Sequence, residues 1–383
     1  MYQHQGLVSN SPALADVWYL GTAVALHLLH ARPVGHGWAA LTGPTLRRLM
    51  KPPAFDYLAA RSLEQALAAK AQYGDEARFL AGGQSLVPAM NFRLVRPAVL
   101  IDLNPVAGLD RLERQPTGGL RVGALVRHAK VEGDHGVVLT QPLLAEAIRE
   151  VAHPQVRNRG TLCGNLCHAD PASELPAVML ALEARMRACS VRGERWISAA
   201  DFFCGTYSTA LRVDEMLVDI ELAPRPPRSG SAFIELARRP GDYAMMGVAV
   251  SLHLDAGGSV AGARIVACGA GDRPVHVAAA AAPLRLVHID VTYGAMPEQC
   301  SEAVTAAADA LARGIDPPGT VHASGDYQRH LARVLGERAI RLALARAAAG
   351  STTGATSGAA AALATAAKAA AAGTKACSAA DKL

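Results

Sequence analysis

The chain has 383 residues, of which 51% are apolar and only 4% aromatic, with a formal net charge of +5. That length carries two or three domains and a sizeable core. The charges are scattered, with no basic stripe interleaved with aromatics, so nucleic acid is excluded as a probable ligand class.

Residues 1–49 are rich in His, Gly and Leu without a clear period. They read either as a loosely ordered extension or as an upstream start, with Met50 the true one. Ala13–Leu29 is apolar, but Asp16 interrupts it and no basic flank precedes it. It reads as neither a membrane span nor a signal peptide.

A globular pattern begins at Met50. Ser62 with Gln65 three residues on predicts a capped helix through Leu63, Ala66 and Leu67, stopping at Gly74. Ala77–Leu80 is a short strand feeding a Gly-Gly loop, a helix-like stretch runs over Met90–Leu94, and Ala98–Leu103 is the next strand. Further on, Asp170 as N-cap, Pro171 at the first helical position and Glu174 in the first turn predict a helix running over Leu175–Met186. Val248, Val250, Leu252 and Leu254 alternate with smaller or polar residues, as in a half-buried strand. Ala256-Gly257-Gly258-Ser259 turns it back into Arg264–Gly269. Helices follow over Ser301–Arg313 and Tyr327–Ala348, and from Ser351 the composition is that of a disordered Ala/Gly-rich tail.

Two runs carry the strongest chemical signal: Leu80-Ala81-Gly82-Gly83-Gln84-Ser85-Leu86 and Arg159-Gly160-Thr161-Leu162-Cys163-Gly164-Asn165. Glycines without Cβ let backbone N–H groups approach an anion, and the neighbouring Gln, Ser, Thr and Asn suit phosphate and ribose. The two loops can clamp one extended dinucleotide, or each can be an ordinary turn. Neither G-x-G-x-x-G nor a Walker-type phosphate loop is present, so a bound nucleotide uses another frame.

The seven cysteines, at 163, 167, 189, 204, 268, 300 and 377, are odd in number and suggest no disulfide framework, which fits a reducing cytoplasm. Cys163, Cys167, His168 and Asp170 are metal-ligand types, but no second pair completes a zinc site and no Cys run completes an iron–sulfur site. No metal ligands are therefore assigned. His168 reads as a structural histidine, a base or a flavin attachment point. Glu174 favours a helix dipole or holds ribityl hydroxyls. Tyr243, after Arg238-Arg239-Pro240-Gly241-Asp242, sits on a surface turn or faces a flavin. No G-x-S-x-G elbow supports a hydrolase.

Taken in order, these stretches resemble the FAD-binding medium subunit of bacterial molybdenum hydroxylases, the carbon monoxide dehydrogenase and xanthine dehydrogenase family. The match begins at Lys51-Pro52-Pro53-Ala54-Phe55-Asp56-Tyr57 and continues through Ala81–Pro88 and Asn91–Leu94. It runs on through Arg157–Thr161, His168–Pro176, Asp201–Phe203, Asp214–Leu217 and Ala237–Ala244, and closes at Val321–Tyr327. The resemblance implies an α+β chain with a two-subdomain p-cresol methylhydroxylase-type FAD-binding fold and a C-terminal α+β domain. The implied boundaries are an extension over 1–49, subdomains over 50–104 and 105–225, a C-terminal flavoprotein domain over 226–348 and a tail over 349–383.

It also implies non-covalent FAD held by Leu80, Ala81, Gly82, Gly83, Gln84, Ser85 and Leu86, and by Gly160, Thr161, Cys163, Gly164 and Asn165. Glu174 would contact FAD, Leu217 would lie near it and Tyr243 beside its isoalloxazine. No catalytic residue is assigned. No basic side chain is evident at the pyrophosphate, so main-chain N–H groups and helix ends would supply the countercharge. Molybdopterin and 2Fe–2S clusters would sit in partner subunits, one large and one small, in a heterotrimer or a dimer of heterotrimers. The chain would relay electrons from the partner clusters through FAD to an external acceptor, in the cytoplasm. The alternative is a stand-alone FAD oxidoreductase of the same fold. Two departures stand out: Cys163-Gly164 replaces a frequent Gly-Gly, and Leu284–Gln299 fits the family pattern loosely.

Overall fold

The computed structural model describes residues 51–289 and 299–352. The extension expected over 1–49, most of the altered stretch up to Gln299, and the tail from 353 onward lie outside the described residues. The architecture is α+β, and all the elements below belong to one unit, Pro52–Leu383.

The first layer is β1 (Asp56–Ala59), α1 (Leu63–Tyr73), β2 (Ala77–Leu80), α2 (Leu86–Asn91) and β3 (Val99–Asp102). The three strands form a parallel sheet in the order β1-β3-β2. The central strand β3 is buried at all four residues, as a parallel strand covered on both faces requires. Ser62 caps α1 by accepting from the Gln65 amide at 3.2 Å. Gln65 Oε1 in turn accepts from the amide of Arg61, one residue before the cap. The helix stops at Gly74, whose φ of +50° suits glycine. The buried Lys70 ammonium then donates to the carbonyls of Gly74 and Ala77, both at 2.7 Å, tying the helix end to β2. The stretch read as helical over Met90–Leu94 is displaced: α2 starts at Leu86, directly out of the Gly-Gly loop.

The second layer is a five-stranded antiparallel sheet, β4-β5-β10-β6-β7. It comprises β4 (Leu112–Arg114), β5 (Leu120–Gly123), β6 (Arg185–Ser190), β7 (Gly193–Ser198) and, after two short strands β8 (Phe203–Gly205) and β9 (Ser208–Thr209), β10 (Met216–Leu222). Between β5 and β6 lie six helices: α3 (His128–Gly133), α4 (His135–Thr140), α5 (Pro142–Ala147), α6 (Pro154–Arg157), α7 (Leu162–His168) and α8 (Glu174–Ala181); α9 (Ala199–Phe202) follows β7. Two expectations fail here. The helix expected from Asp170 begins only at Glu174. Asp170 instead folds an Asx-type turn, its carboxylate accepting from the Ala172 amide at 2.9 Å. The helix also ends at Ala181, not Met186. Glu183 takes a φ of +52°, and Met186 enters β6.

The third layer is an antiparallel sheet β11-β12-β13-β14, from β11 (Ser229–Ala237), β12 (Ala244–Leu254), β13 (Val260–Cys268) and β14 (Val275–His276). Gly258, at φ +92°, turns β12 into β13. Helices α10 (Gln299–Arg313) and α11 (Gly325–Thr352) pack with the sheet around a shared core, and α11 extends four residues into the stretch read as tail. The free edge of β11 is closed by side chains. Glu146 of α5 accepts from the Phe233 amide at 3.1 Å and pairs with both terminal nitrogens of Arg346. Arg346 also donates to the Ser231 carbonyl at 2.5 Å. An acid and a base thus stand where a fifth strand would otherwise bond.

At Gly230 the strand and α11 touch backbone to backbone. An added Cβ would overlap the Ala343 carbonyl and lie 2.6 Å from the Ala347 nitrogen. Gly230→Ala is therefore expected to cost about 1–3 kcal/mol by overpacking, read as a lower midpoint in chemical denaturation. An unchanged midpoint would show that the helix shifts freely over β11.

Candidate functional site

Strands β2 and β3 run parallel and end in register at Leu80 and Asp102, so the segments that leave them emerge at one carboxyl edge. In parallel α/β arrangements this edge is where ligands gather. Ala81–Ser85 leaves β2 there. The amides of Gly82, Gly83, Gln84 and Ser85 make no hydrogen bond among the described residues, and Gly83 holds φ +73°. Consecutive unpaired N–H groups of this kind form a concavity suited to an anion.

The second loop is laid against the first. Residues 126–128 run antiparallel to 160–162: His128 donates its amide to the Gly160 carbonyl and Leu162 to that of Val126, each at 3.0 Å, around a bridge of Arg127 with Thr161. Thr161 caps α7, its hydroxyl accepting from the Gly164 amide at 3.1 Å. A Cβ on Gly164 would press within 2.6 Å of that hydroxyl. The two loops meet at Gly82, where an added Cβ would run into the Arg159 carbonyl and sit 2.9 Å from Gly160 Cα. The runs Leu80–Leu86 and Gly160–Asn165 are therefore neighbours in space.

Cys163, the departure from Gly-Gly, points inward. Its thiol is buried, 3.9 Å from the Val122 carbonyl, and burial pushes its pKa well up. The substitution fills core and leaves the loop surface to backbone. Among the described residues no three His, Cys, Asp or Glu side chains are grouped to hold a metal, and no helix is long and apolar enough to cross a membrane.

The second loop connects onward to the acid-bearing turn. Ser173 Oγ donates to Asn165 Oδ1 at 3.0 Å, and Glu174 follows as the first residue of α8. Glu174 is 3% exposed, and burial pushes its carboxyl up to about 7. Glu235 on β11 is pushed up to about 9 by burial and by the charges of Glu174 and Glu150. Tyr207 packs beside His168 with the rings tilted by 35° and centroids 4.9 Å apart, and donates to Asp170 at 3.3 Å. Tyr243, half exposed just before β12, lies near Asp170, whose carboxyl burial pushes up. Leu217 lies buried in β10, the strand against which α7 packs. Its side chain belongs to the core.

The structure adds residues that the sequence reading passed over. Arg127 donates through Nη1 to the Arg159 carbonyl and through Nη2 to Asn104 Oδ1 at 2.6 Å. Asn104 donates to the Ala81 carbonyl at 3.0 Å. A basic side chain therefore stands between the two loops. Helices α2 and α7 have only six and seven residues, so local amides matter more than any long helix dipole. His128 is buried beside Gly160, and burial lowers its pKa to about 4, which keeps the ring neutral.

Comparison with known proteins completes the picture. Residues 53–226 match the family described as the FAD binding domain in molybdopterin dehydrogenase, and residues 231–343 match the carbon monoxide dehydrogenase flavoprotein C-terminal domain. The 6-hydroxypseudooxynicotine dehydrogenase complex subunit alpha of Paenarthrobacter nicotinovorans is 42% identical over 78% of this chain and 97% of that protein. Among solved structures, carbon monoxide dehydrogenase from Hydrogenophaga pseudoflava superposes with a TM-score of 0.72 at 35% identity, over 78% of this chain and 99% of that one. Quinoline 2-oxidoreductase from Pseudomonas putida 86 gives 0.71 at 38%, over 78% and 100%.

The buried Glu174 generates a pH signature. Its folded pKa of about 7 lies above the ordinary 4.5, so between pH 4.5 and 7 the folded state keeps a proton that the unfolded state has released. Stability therefore falls as pH rises through that window, by about 3 kcal/mol for this group. His128 works the other way between about pH 4 and 6.5, so the test is a difference. The apoprotein variant Glu174→Gln should gain stability relative to wild type from pH 5 to pH 8 in denaturant melts. A pH-independent gap would show that Glu174 ionises normally.

Proposed function

The chain belongs to the family of FAD-binding subunits of molybdopterin dehydrogenases, and from that premise we propose that it relays electrons from partner iron–sulfur clusters to an external acceptor. The observation that carries the reading is the backbone contact of Gly82 with Arg159–Gly160, which sets four unpaired amides beside a second glycine loop. This cradle fits a diphosphate: it is made of N–H donors, and its glycines leave no side chain between the two loops. FAD, when bound, supplies the redox chemistry.

The chain's own part is to hold and orient. Residues 80–86 and 160–165 would bind the diphosphate, Glu174 would take the ribityl side, and Tyr243 would border the isoalloxazine. Cys163 acts from beneath as packing, and Leu217 shapes the floor as core. With its pKa raised to about 7, the buried Glu174 is partly protonated at neutral pH, and that form can donate a hydrogen bond, which a carboxylate cannot. The fold reading goes with this: two subdomains of p-cresol methylhydroxylase type over 50–104 and 105–225, and a C-terminal domain over 226–348. The partners would be a small iron–sulfur subunit and a large molybdenum subunit, in a heterotrimer or its dimer, in the cytoplasm.

Purified protein is expected to be yellow and to release one FAD on denaturation without proteolysis. Gly82→Ala, which forces the loops apart, should lose most of it. Alone, the loaded chain should pass electrons from an added reductant to a dye but oxidise no organic substrate. Substrate oxidation by the isolated chain would instead make it a stand-alone oxidoreductase, and a folded chain indifferent to FAD would remove the reading.

A further inference from the structure

The two loops are tied by a side-chain bridge that neither loop contains. Arg127 leaves the end of the β5 segment and Asn104 follows β3, so each comes from a different layer. One end of the bridge is the Ala81 carbonyl, held by Asn104 Nδ2 at 3.0 Å; the other is the Arg159 carbonyl, held by Arg127 Nη1. The middle is the contact of Arg127 Nη2 with Asn104 Oδ1, 2.6 Å. Asn104 is itself anchored. Its amide and side-chain nitrogen donate to Asp102 Oδ1 at 3.0 and 2.5 Å, while Tyr57 donates to Oδ2 at 2.5 Å. Asp102 is buried, which opposes ionisation, but these hydrogen bonds outweigh burial and hold its carboxyl below the usual range.

The two captured carbonyls are those immediately before Gly82 and Gly160. A trans peptide points its C=O and the following N–H in opposite directions. Holding the Ala81 carbonyl toward Asn104 therefore turns the Gly82 N–H the other way, and that N–H has no partner among the described residues. The same hold fixes the plane before Gly160, the residue that Gly82 touches. We propose that Arg127 and Asn104 form a clasp between the two subdomains that sets the spacing and amide orientation of the diphosphate cradle. Arg127 is then a positioning residue for the dinucleotide, and Asn104 is its partner. This rests on the FAD reading above. A planar guanidinium suits the task because its two Nη groups reach two acceptors at once, which a single ammonium does not do in fixed geometry. Arg159 lies close enough for the two positive charges to oppose each other.

The test is the rate of FAD release from the loaded full-length chain, followed by recovery of flavin fluorescence, with ADP as a competing probe that carries the diphosphate and no flavin. Arg127→Ala, Arg127→Lys and Asn104→Ala should each speed release about 10- to 100-fold. ADP affinity should fall by the same factor, and thermal midpoints should stay near wild type. The double variant Arg127→Ala with Asn104→Ala should release FAD no faster than the faster single variant, because both break one bridge. If Arg127→Ala destabilises the chain, the charge-conserving Lys variant carries the test. Wild-type release from Arg127→Lys together with an inert Asn104→Ala would reduce Arg127 to a charge and overturn the clasp, as would fully additive losses. A wild-type chain that takes up no FAD overturns the functional reading and the clasp with it. A loaded wild type with unaffected variants overturns the clasp alone.

Discussion

Where Gly82 passes Arg159 and Gly160, two stretches of main chain lie so close that not even a methyl group fits between them. Backbone at such range holds its place through what its polar groups bond to. The carbonyls on either side of the contact are satisfied by Asn104 and Arg127. Among the described residues nothing accepts from the N–H groups of residues 82–85. That asymmetry, acceptors paired and donors open, is what makes the contact a site for an anion and not merely a tight turn.

The rest of the molecule supports this contact at a distance. The parallel sheet delivers the first loop and Asn104 to one edge, since β2 and β3 end in register. The pairing of 126–128 with 160–162 fixes the second loop beside Arg127. Asn165 and Ser173 pass the arrangement to α8 and its buried Glu174. The third layer is coupled in turn through Glu146 and Arg346, whose ion pair also satisfies the exposed edge of β11. Truncating either partner leaves the other half-buried without its counter-charge, Glu146 keeping only the Phe233 amide and Arg346 only the Ser231 carbonyl.

Much of this was legible in the sequence, and for local reasons. Glycine pairs at strand ends, the Ser62 cap and the alternation in β12 are all signals carried within a few residues. The misreadings are those in which a local signal has two outcomes. Asp170-Pro171 reads as a helix start, but an aspartate carboxylate can equally close a turn on the Ala172 amide, and here it does. The apolar run from Leu175 reads as one helix, yet Glu183 breaks it and Met186 is a strand residue. Arg127 and Asn104 were invisible for a different reason: they lie 32 and 23 residues from the carbonyls they hold, and nothing in their own neighbourhoods marks them. The available hint was positional, since each stands just beyond the end of a strand, where polar residues face ligands more often than core.

The central claim is that the open amides of 82–85 are where the diphosphate of FAD is held. Hydrogen exchange reads those amides directly. Among the described residues they have no partner, so in the apoprotein they should exchange quickly; loading with FAD should slow exchange in peptides spanning 81–86 and 159–165 more than elsewhere in the first two layers. FAD bound at full stoichiometry with exchange in these two peptides unchanged would contradict the account.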